Sequence, residues 1–144
     1  MTRIIAGEAR GRTIKVPTEG TRPTADRARE GLFSSLAARW GFAGSSVLDL
    51  FAGSGALGLE AASRGAEEIV LVESSADAVK IIRHNMGVVK HPGVRVQEMK
   101  VGTYLGSAPR RHFDLVLADP PYAFDEGDEL IAAIEPVLCD HAMV

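Results

Sequence analysis

From Val47 onward, short continuous apolar runs alternate with longer stretches in which apolar residues recur every three or four positions. The runs predict buried strands at Val47–Phe51, Ile69–Glu73, Val94–Val96 and Leu115–Ala118. The longer stretches predict helices at Ala56–Arg64, stopped by Gly65, at Ser75 to about Met86 with Val79, Ile82 and Met86 turned inward, and at Asp125–Leu138. Strand–helix alternation of this kind is the signature of a parallel sheet covered by helices, an α/β fold. Ala142-Met143-Val144 reads as a fifth strand just beginning, and because an unpaired apolar edge is a liability, the sheet is expected to continue in further C-terminal strands missing from this chain.

The first 45 residues follow a different rhythm. Arg3-Ile4-Ile5 and Thr13-Ile14-Lys15-Val16, set around Gly7 and Gly11, predict a small hairpin or arm. Gly20-Thr21-Arg22-Pro23-Thr24 breaks the chain before a helix from about Asp26 to Trp40, with Ala28, Leu32, Phe33, Leu36 and Trp40 on one stripe. Gly41-Phe42-Ala43-Gly44-Ser45-Ser46 reads as a linker. The chain thus divides into an N-terminal arm and helix, residues 1–45, and an α/β core, residues 46–144.

Charge sharpens that division. The net charge is −3, but residues 1–30 hold seven cations against four carboxylates, which leaves +3 on the arm and −6 on the rest. Six of the seven are arginines (Arg3, Arg10, Arg12, Arg22, Arg27 and Arg29), the side chain suited to bidentate phosphate contact and to stacking on bases. A basic arm on an acidic body points to an anionic polymer as partner. Apolar and charged fractions of 46% and 24% exclude a disordered chain, and no run is long enough to cross a bilayer. Cys139 is the single cysteine and falls in the pattern of the last helix, so no internal disulfide forms and a reducing cytoplasmic location is expected. His84, His91, His112 and His141 lack metal-ligand spacing, and no metal is expected.

Two segments carry chemistry. Between the first core strand and its helix stands Asp49-Leu50-Phe51-Ala52-Gly53-Ser54-Gly55-Ala56-Leu57-Gly58, whose glycines allow a tight turn and close approach of backbone to a ligand at a helix N-terminus. Glu73, twenty positions beyond Gly53 at the end of the second strand, is placed to accept from ribose hydroxyls. Both features suit either a nicotinamide cofactor or S-adenosylmethionine. Asp49 favours the second, because a carboxylate inside the strand repels a pyrophosphate and attracts the ammonium and sulfonium of S-adenosylmethionine. The other segment, Asp119-Pro120-Pro121-Tyr122, follows the Leu115–Ala118 run, at the carboxyl end of a strand where open α/β sheets bind their ligands. Two prolines remove backbone donors, so a carboxylate and a carbonyl stand side by side as an acceptor pair for an amino group, and Tyr122 adds a face for a ring.

Together, Asp49–Gly58 and Asp119-Pro120-Pro121-Tyr122 resemble the class I S-adenosylmethionine-dependent amino methyltransferases, with a Rossmann-like sheet. Arg3-Ile4-Ile5-Ala6-Gly7, Arg10-Gly11-Arg12 and Arg22-Pro23-Thr24-Ala25-Asp26-Arg27-Ala28-Arg29-Glu30 resemble, more narrowly, the bacterial methyltransferases that modify the exocyclic N2 of a guanine in 16S ribosomal RNA. The resemblance implies Asp119, Pro120, Pro121 and Tyr122 as catalytic residues. It implies Asp49, Phe51, Ala52, Gly53, Ser54, Gly55, Glu73, Ser74, Lys100, Val101 and Asp119 around S-adenosylmethionine. It assigns Arg3, Arg10, Arg12, Arg22, Thr24, Arg27 and Arg29 to RNA, with 16S rRNA in the small ribosomal subunit or its assembly intermediate as partner and the protein a cytoplasmic monomer. Many such enzymes carry an acidic residue or Asn where Lys100 stands, and Lys100 cannot accept from an adenine amino group. The Val101 backbone or Glu98 is left to read that ring. DNA adenine or protein glutamine methylation, or a non-catalytic cofactor- or RNA-binding role, are the alternatives at this stage.

Overall fold

The computed structural model describes the backbone of residues 2–16, 23–39, 41–119 and 127–143, and the side chains of these except at 23–28, 39, 127 and 140–143. Among the described residues, five parallel strands form the central sheet: β3 (Ser46–Leu50), β4 (Glu68–Glu73), β5 (Val94–Glu98), β6 (Phe113–Ala118) and β7 (Leu138–Met143), in the order β5-β4-β3-β6-β7. A separate two-stranded ladder, β1 (Thr2–Arg3) with β2 (Thr13–Ile14), makes the arm. The helices are α1 (Pro23–Arg39), α2 (Ala56–Ser63), α3 (Ala76–Val89), α4 (Val101–Ser107) and α5 (Gly127–Ile134).

Alternation along the strands builds two separate cores. Val47, Ile69, Leu71, Leu115 and Leu117 pack with α2, α3 and the arm, while Leu48, Leu50, Val70, Val72 and Val116 pack with α4 and α5. The result is three layers, helix–sheet–helix. The chain leaves β3 in one direction towards β4 and β5 and returns on the other side as β6 and β7. The order therefore reverses between β3 and β6, and such a switch point opens a crevice beyond the strand ends.

Most predicted elements are present, with corrections that have local causes. The last helix does not run from Asp125 to Leu138: α5 ends at Ile134, Glu135–Val137 tighten into a 3-10 turn, and Leu138 already begins β7. Pro136 lacks the N–H and crowds the preceding turn, so the helix stops before it. Cys139 accordingly lies on a strand, where its thiol donates to Asp114 Oδ1 at 3.0 Å. The fifth strand starts four residues earlier than Ala142. β5 reaches Glu98 and pairs with β4 throughout. The short helix α4 is an addition to the predicted elements. Helix α1 opens at Pro23, a residue pre-set for a first helical turn. Its buried stripe is Arg29, Phe33 and the half-buried Leu36, whereas Leu32 is rotated out and 42% exposed. The Gly41–Ser46 segment is no free linker, since Phe42 is buried with its ring 5.5 Å from that of Phe33.

The arm is clamped to the body by buried polar side chains of α2. Glu60 accepts from the Ile5 and Ala6 N–H groups through Oε1 (2.8 Å) and Oε2 (3.1 Å), and Oε2 also takes Arg64 Nε at 2.9 Å. Ser63 Oγ accepts from Ala9 N and donates to the Ala6 carbonyl, and the Ser63 carbonyl accepts from Glu8 N. Gly7, at φ +88°, is pressed so close that a Cβ there would lie 1.8 Å from the Ser63 carbonyl oxygen. Gly7→Ala is therefore expected to destabilise the fold by about 2–5 kcal/mol, from backbone strain plus overpacking. Chemical denaturation measures this, and an unchanged midpoint would show that the arm is not held against α2 as described.

Candidate active site at the sheet switch point

β3, β4 and β6 each end in a carboxylate or carry one near the end, and all three converge on the switch point. Asp49 is the penultimate residue of β3, Glu73 the last of β4, and Asp119 follows β6. Leu50 pairs with Ala118, so Phe51 and Asp119 are the residues that leave the two paired strand ends. Phe51 turns out of the strand at φ +57°, a rare conformation for an aromatic residue. Ala52 N then donates to the Val72 carbonyl and Gly55 N to the Ala52 carbonyl, which closes the glycine loop over the strand ends.

Glu73 holds this loop from the side. Its Oε1 accepts from Gly53 N at 2.9 Å and its Oε2 from Ser75 N at 2.8 Å, so one carboxylate fixes both the loop and the start of α3. Gly55, at φ +82°, caps α2 without any side-chain hydrogen bond. Asp49 replaces that cap from below: its Oδ2 accepts from Gly58 N at 3.0 Å. Gly58 has no room for a side chain, since a Cβ would lie 2.2 Å from Leu71 Cδ2 and 3.2 Å from the same Asp49 oxygen.

Asp49 is sealed beneath the loop at 1% exposure, and its Oδ1 has no hydrogen-bond partner among the described residues. Burial pushes its carboxyl from 3.8 up to about 7; the Gly58 N–H opposes this, and the neighbouring Asp119 and Glu73 charges add to it. Glu73, Asp119 and the buried Asp49 thus form an acidic site, and a cation nearby would favour the ionised form of Asp49 whereas a phosphate would oppose it. Because Asp49 does not open onto solvent, it bears on a ligand through its field and through the α2 N-terminus it fixes, rather than by the direct approach its sequence position suggested.

Beside this cluster lies a cleft of about 520 Å³, lined by Phe51, Val72, Glu73, Ser74, Val101 and Leu105, with Lys100, Gly102 and residues of α5 completing its wall. Its size and its largely apolar lining suit a ring-bearing small molecule. Lys100 is exposed and is the N-cap residue of α4, with no side-chain cap. The N–H groups that open a helix have no intrahelical acceptor, so Val101 and Gly102 present donors at the cleft wall. Glu98 pairs with Glu73 across the ladder but is exposed and off that wall. Of the two routes for reading an adenine, the Val101 backbone is the one that the cleft contains.

Phe51, Ala52, Gly53, Ser54, Gly55, Glu73, Ser74, Lys100, Val101 and Asp119 are thus gathered at one end of the sheet, with Asp49 under them. Pro120, Pro121, Tyr122 and Arg22 lie outside the described residues, as do the side chains of Thr24 and Arg27. The remaining arginines separate into two kinds. Arg3 and Arg10 are exposed. Arg29 is 7% exposed, and its Nη2 donates to Thr2 Oγ1 and to the Arg3 carbonyl; Arg12 Nη1 donates to the Val88 and Val89 carbonyls at the end of α3. The structure thus gives Arg29 the task of holding α1 to the arm, and it engages Arg12 with α3. Asn85, passed over in the sequence because a lone Asn in a helix carries no signal, is fully buried and joins the arm to the glycine loop.

Asp49 makes stability depend on pH in an assignable direction. Its folded value lies above its unfolded value, so its contribution is complete below about pH 4. It is lost as pH rises towards 7, by up to about 4 kcal/mol. Asp49→Asn removes the titration, so denaturation between pH 5 and 8 should show the variant gaining on the parent as pH rises to about 7. A difference that does not change with pH would contradict the buried, proton-holding Asp49.

Comparison with known proteins converges on one family. The model of the family described as conserved hypothetical protein 95 matches residues 2–144. The ribosomal RNA small subunit methyltransferase D of Escherichia coli is 38% identical over 145 residues, covering 99% of this chain and 72% of that protein. Its Haemophilus influenzae counterpart is 35% identical, covering 96% and 71%. Among solved structures, the candidate methyltransferase yhhF of Escherichia coli superposes with a TM-score of 0.82 at 37% identity, covering 96% of this chain and 74% of that one. A precorrin-6y C5,15-methyltransferase from Geobacter metallireducens, 19% identical with a TM-score of 0.73 over 90% of this chain and 65% of that one, shares the fold alone. With its Rossmann-like class I methyltransferase fold, the chain belongs to the conserved hypothetical protein 95 family and is similar to the ribosomal RNA small subunit methyltransferase D proteins.

Proposed function

We propose that this protein transfers a methyl group from S-adenosylmethionine to the exocyclic N2 of a guanine in 16S ribosomal RNA, within the small subunit or its assembly intermediate. The observation that carries the reading is the acidic switch point: Glu73 lines the end of an apolar cleft beside the glycine loop, with Asp119 just past the neighbouring strand and Asp49 buried beneath the loop. That set of acidic acceptors fits S-adenosylmethionine, which carries an ammonium and a sulfonium and no phosphate, and it disfavours a nicotinamide dinucleotide. The basic arm and the names of the relatives favour ribosomal RNA over DNA or protein.

Glu73 and the glycine loop would hold the ribose and amino acid portions, and Phe51, Val72, Val101 and Leu105 the adenine, with the Val101 N–H as its hydrogen-bond donor. When bound, S-adenosylmethionine supplies an electrophilic methyl on sulfur. The chain's own task is to orient the acceptor. An exocyclic guanine amine is a poor nucleophile because its lone pair is delocalised into the ring. Asp119 is exposed just past the end of β6, near enough to Asp49 for its charge to raise that carboxyl, and there its carboxylate can accept one N–H of the amine. The Pro120 carbonyl would take the other. Two such acceptors favour a localised lone pair and stabilise positive charge as it develops on nitrogen. Tyr122 would stack on the base once it is extruded, and such stacking is worth about 1–3 kcal/mol, comparable to the cost of extrusion. The proton can leave after transfer, so Asp119 need not act as a general base.

RNA phosphate contacts fall to Arg3 and Arg10 in the described part of the arm, and to Arg22, Thr24 and Arg27 beyond it. Such contacts position the substrate without reading its sequence. The deciding experiment is transfer of labelled methyl to small subunits from a strain lacking this modification, followed by nucleoside analysis. Label should appear in N2-methylguanosine. Asp119→Ala should lower the rate by about 10²-fold or more while retaining donor binding in calorimetry, and label in N6-methyladenosine or in protein would overturn the assignment. Arg3→Glu with Arg10→Glu should raise KM for the particle and leave donor affinity in the absence of RNA as it was; equal loss of both would contradict the division between arm and cleft.

A further inference from the structure

The arm and the glycine loop share a single side chain. Asn85 lies on α3 at 0% exposure, and its amide is used in three directions. Oδ1 accepts from Lys15 N at 2.8 Å, while Nδ2 donates to the Lys15 carbonyl at 2.8 Å and to the Ser54 carbonyl at 2.9 Å. The first two bonds mimic a strand partner and extend the ladder one residue beyond β2, which ends at Ile14. The third grips the loop between Gly53 (φ +59°) and Gly55 (φ +82°). An unrestrained glycine pair leaves that peptide free to rotate. Asn85 thus fixes the orientation of the Ser54 carbonyl in the loop assigned to the methyl donor.

Lys15 completes the link. Its backbone is held on both sides by Asn85, yet its side chain is exposed on the basic arm. Just upstream, Arg12 Nη1 binds the Val88 and Val89 carbonyls at the C-terminal end of the same helix. Two points of the arm therefore bear on α3, and the one at Asn85 continues into the glycine loop. A phosphate that captures the Lys15 ammonium would restrain the Lys15 backbone, and through it the amide that orients Ser54.

Resting on the reading of the protein as a methyl-donor-dependent RNA enzyme, we propose that Asn85 is a positioning residue that couples the two substrates. RNA held by Lys15 stiffens the Lys15–Asn85–Ser54 link, which is already formed without RNA, so less motion of the loop is left for the donor to restrict. Prior ordering of a shared element gives positive cooperativity without a large structural change. The coupling is reciprocal, so bound donor must tighten RNA binding by the same factor.

The test measures the affinity of S-adenosylhomocysteine, which binds without turnover, in the absence and presence of saturating unmodified small subunits. The parent protein is expected to bind it about fivefold or more tightly when the particle is present, within the usual range of coupling factors. Asn85→Ala should bring that ratio to unity. Lys15→Met alters only an exposed side chain and should do the same while leaving affinity without RNA unchanged, so the proposal stands on a variant that keeps the fold even if Asn85→Ala does not. Asn85→Asp keeps the acceptor for Lys15 N but loses both donors, and should lose the coupling as well. A ratio near unity in the parent, or a ratio preserved in Lys15→Met and in folded Asn85 variants, would overturn the coupling and leave the methyltransferase reading intact. Failure of the parent to bind S-adenosylhomocysteine at all, with or without particles, would overturn that reading and the coupling together.

Discussion

Asp49 is buried where an ionised carboxylate is most costly, at the centre of the sheet under the first turn of α2, and the geometry around the site depends on it. Its Oδ2 takes Gly58 N and so supplies the cap that Gly55 cannot provide. An N-cap hydrogen bond is worth about 1 kcal/mol, while the desolvation of one carboxylate is larger; the proton that Asp49 retains up to about pH 7 is the compromise between them. The glycine loop, the start of α2 and the strand ends are therefore fixed relative to one another by a group that would gain from a cation close by. A cationic ligand offsets part of the cost already built into the fold. This links stability to binding: a site that is electrostatically unfavourable when empty becomes favourable when a positive group approaches.

A second constraint runs along α2 and α3. Both helices turn apolar residues to the sheet, yet each also carries buried polar side chains, Glu60 and Ser63 on α2 and Asn85 on α3. Their partners are backbone groups of the arm, distant by more than fifty residues in sequence. The arm has only a two-residue ladder of its own, far too little to hold its shape in water. Burial of Ile4, Ala9 and Ile14 supplies the attraction, and the polar side chains set the register, since a shifted arm would strip the buried Glu60 and Asn85 of the arm backbone groups they bind. The arm is thus placed with respect to the glycine loop by hydrogen bonds that tolerate little displacement. Its exposed cations inherit that placement.

The strands and most helices were legible because burial on both faces produces apolar runs and burial on one face produces a helical period. What was not legible has a common cause. Val101–Ser107 is short and reads VGTYLGS, with two glycines and no full period, so α4 carries no signal of its own; it forms because Val101 and Tyr104 find the second core. The end of α5 was misplaced because the apolar pattern continues through Val137 and Leu138 into β7, and only the stereochemistry of Pro136 separates helix from strand. Chemistry showed the same asymmetry. Asp49, Glu73 and the glycines could be found because their roles are local to strand ends. Asn85 and Glu60 could not, since their partners become neighbours only in the fold.

The arginines show where compositional reasoning stops. Seven cations in thirty residues gave the arm a sign and a partner class, and the field of the arm is a property of the sum. Which of them meets a phosphate is a property of position. Arg29 spends its guanidinium on Thr2 and Arg3 inside the protein, and Arg12 spends part of its own on the carbonyls that end α3, where a cation also meets the negative end of the helix dipole. Both build the platform from which Arg3, Arg10 and Lys15 project. Under the proposed function the two kinds differ in what their loss would do: loss of Arg3 or Arg10 would lower RNA affinity alone, whereas loss of Arg12 or Arg29 would also remove hydrogen bonds that hold the arm. Charge counting cannot separate these two classes; the direction in which each guanidinium is committed does.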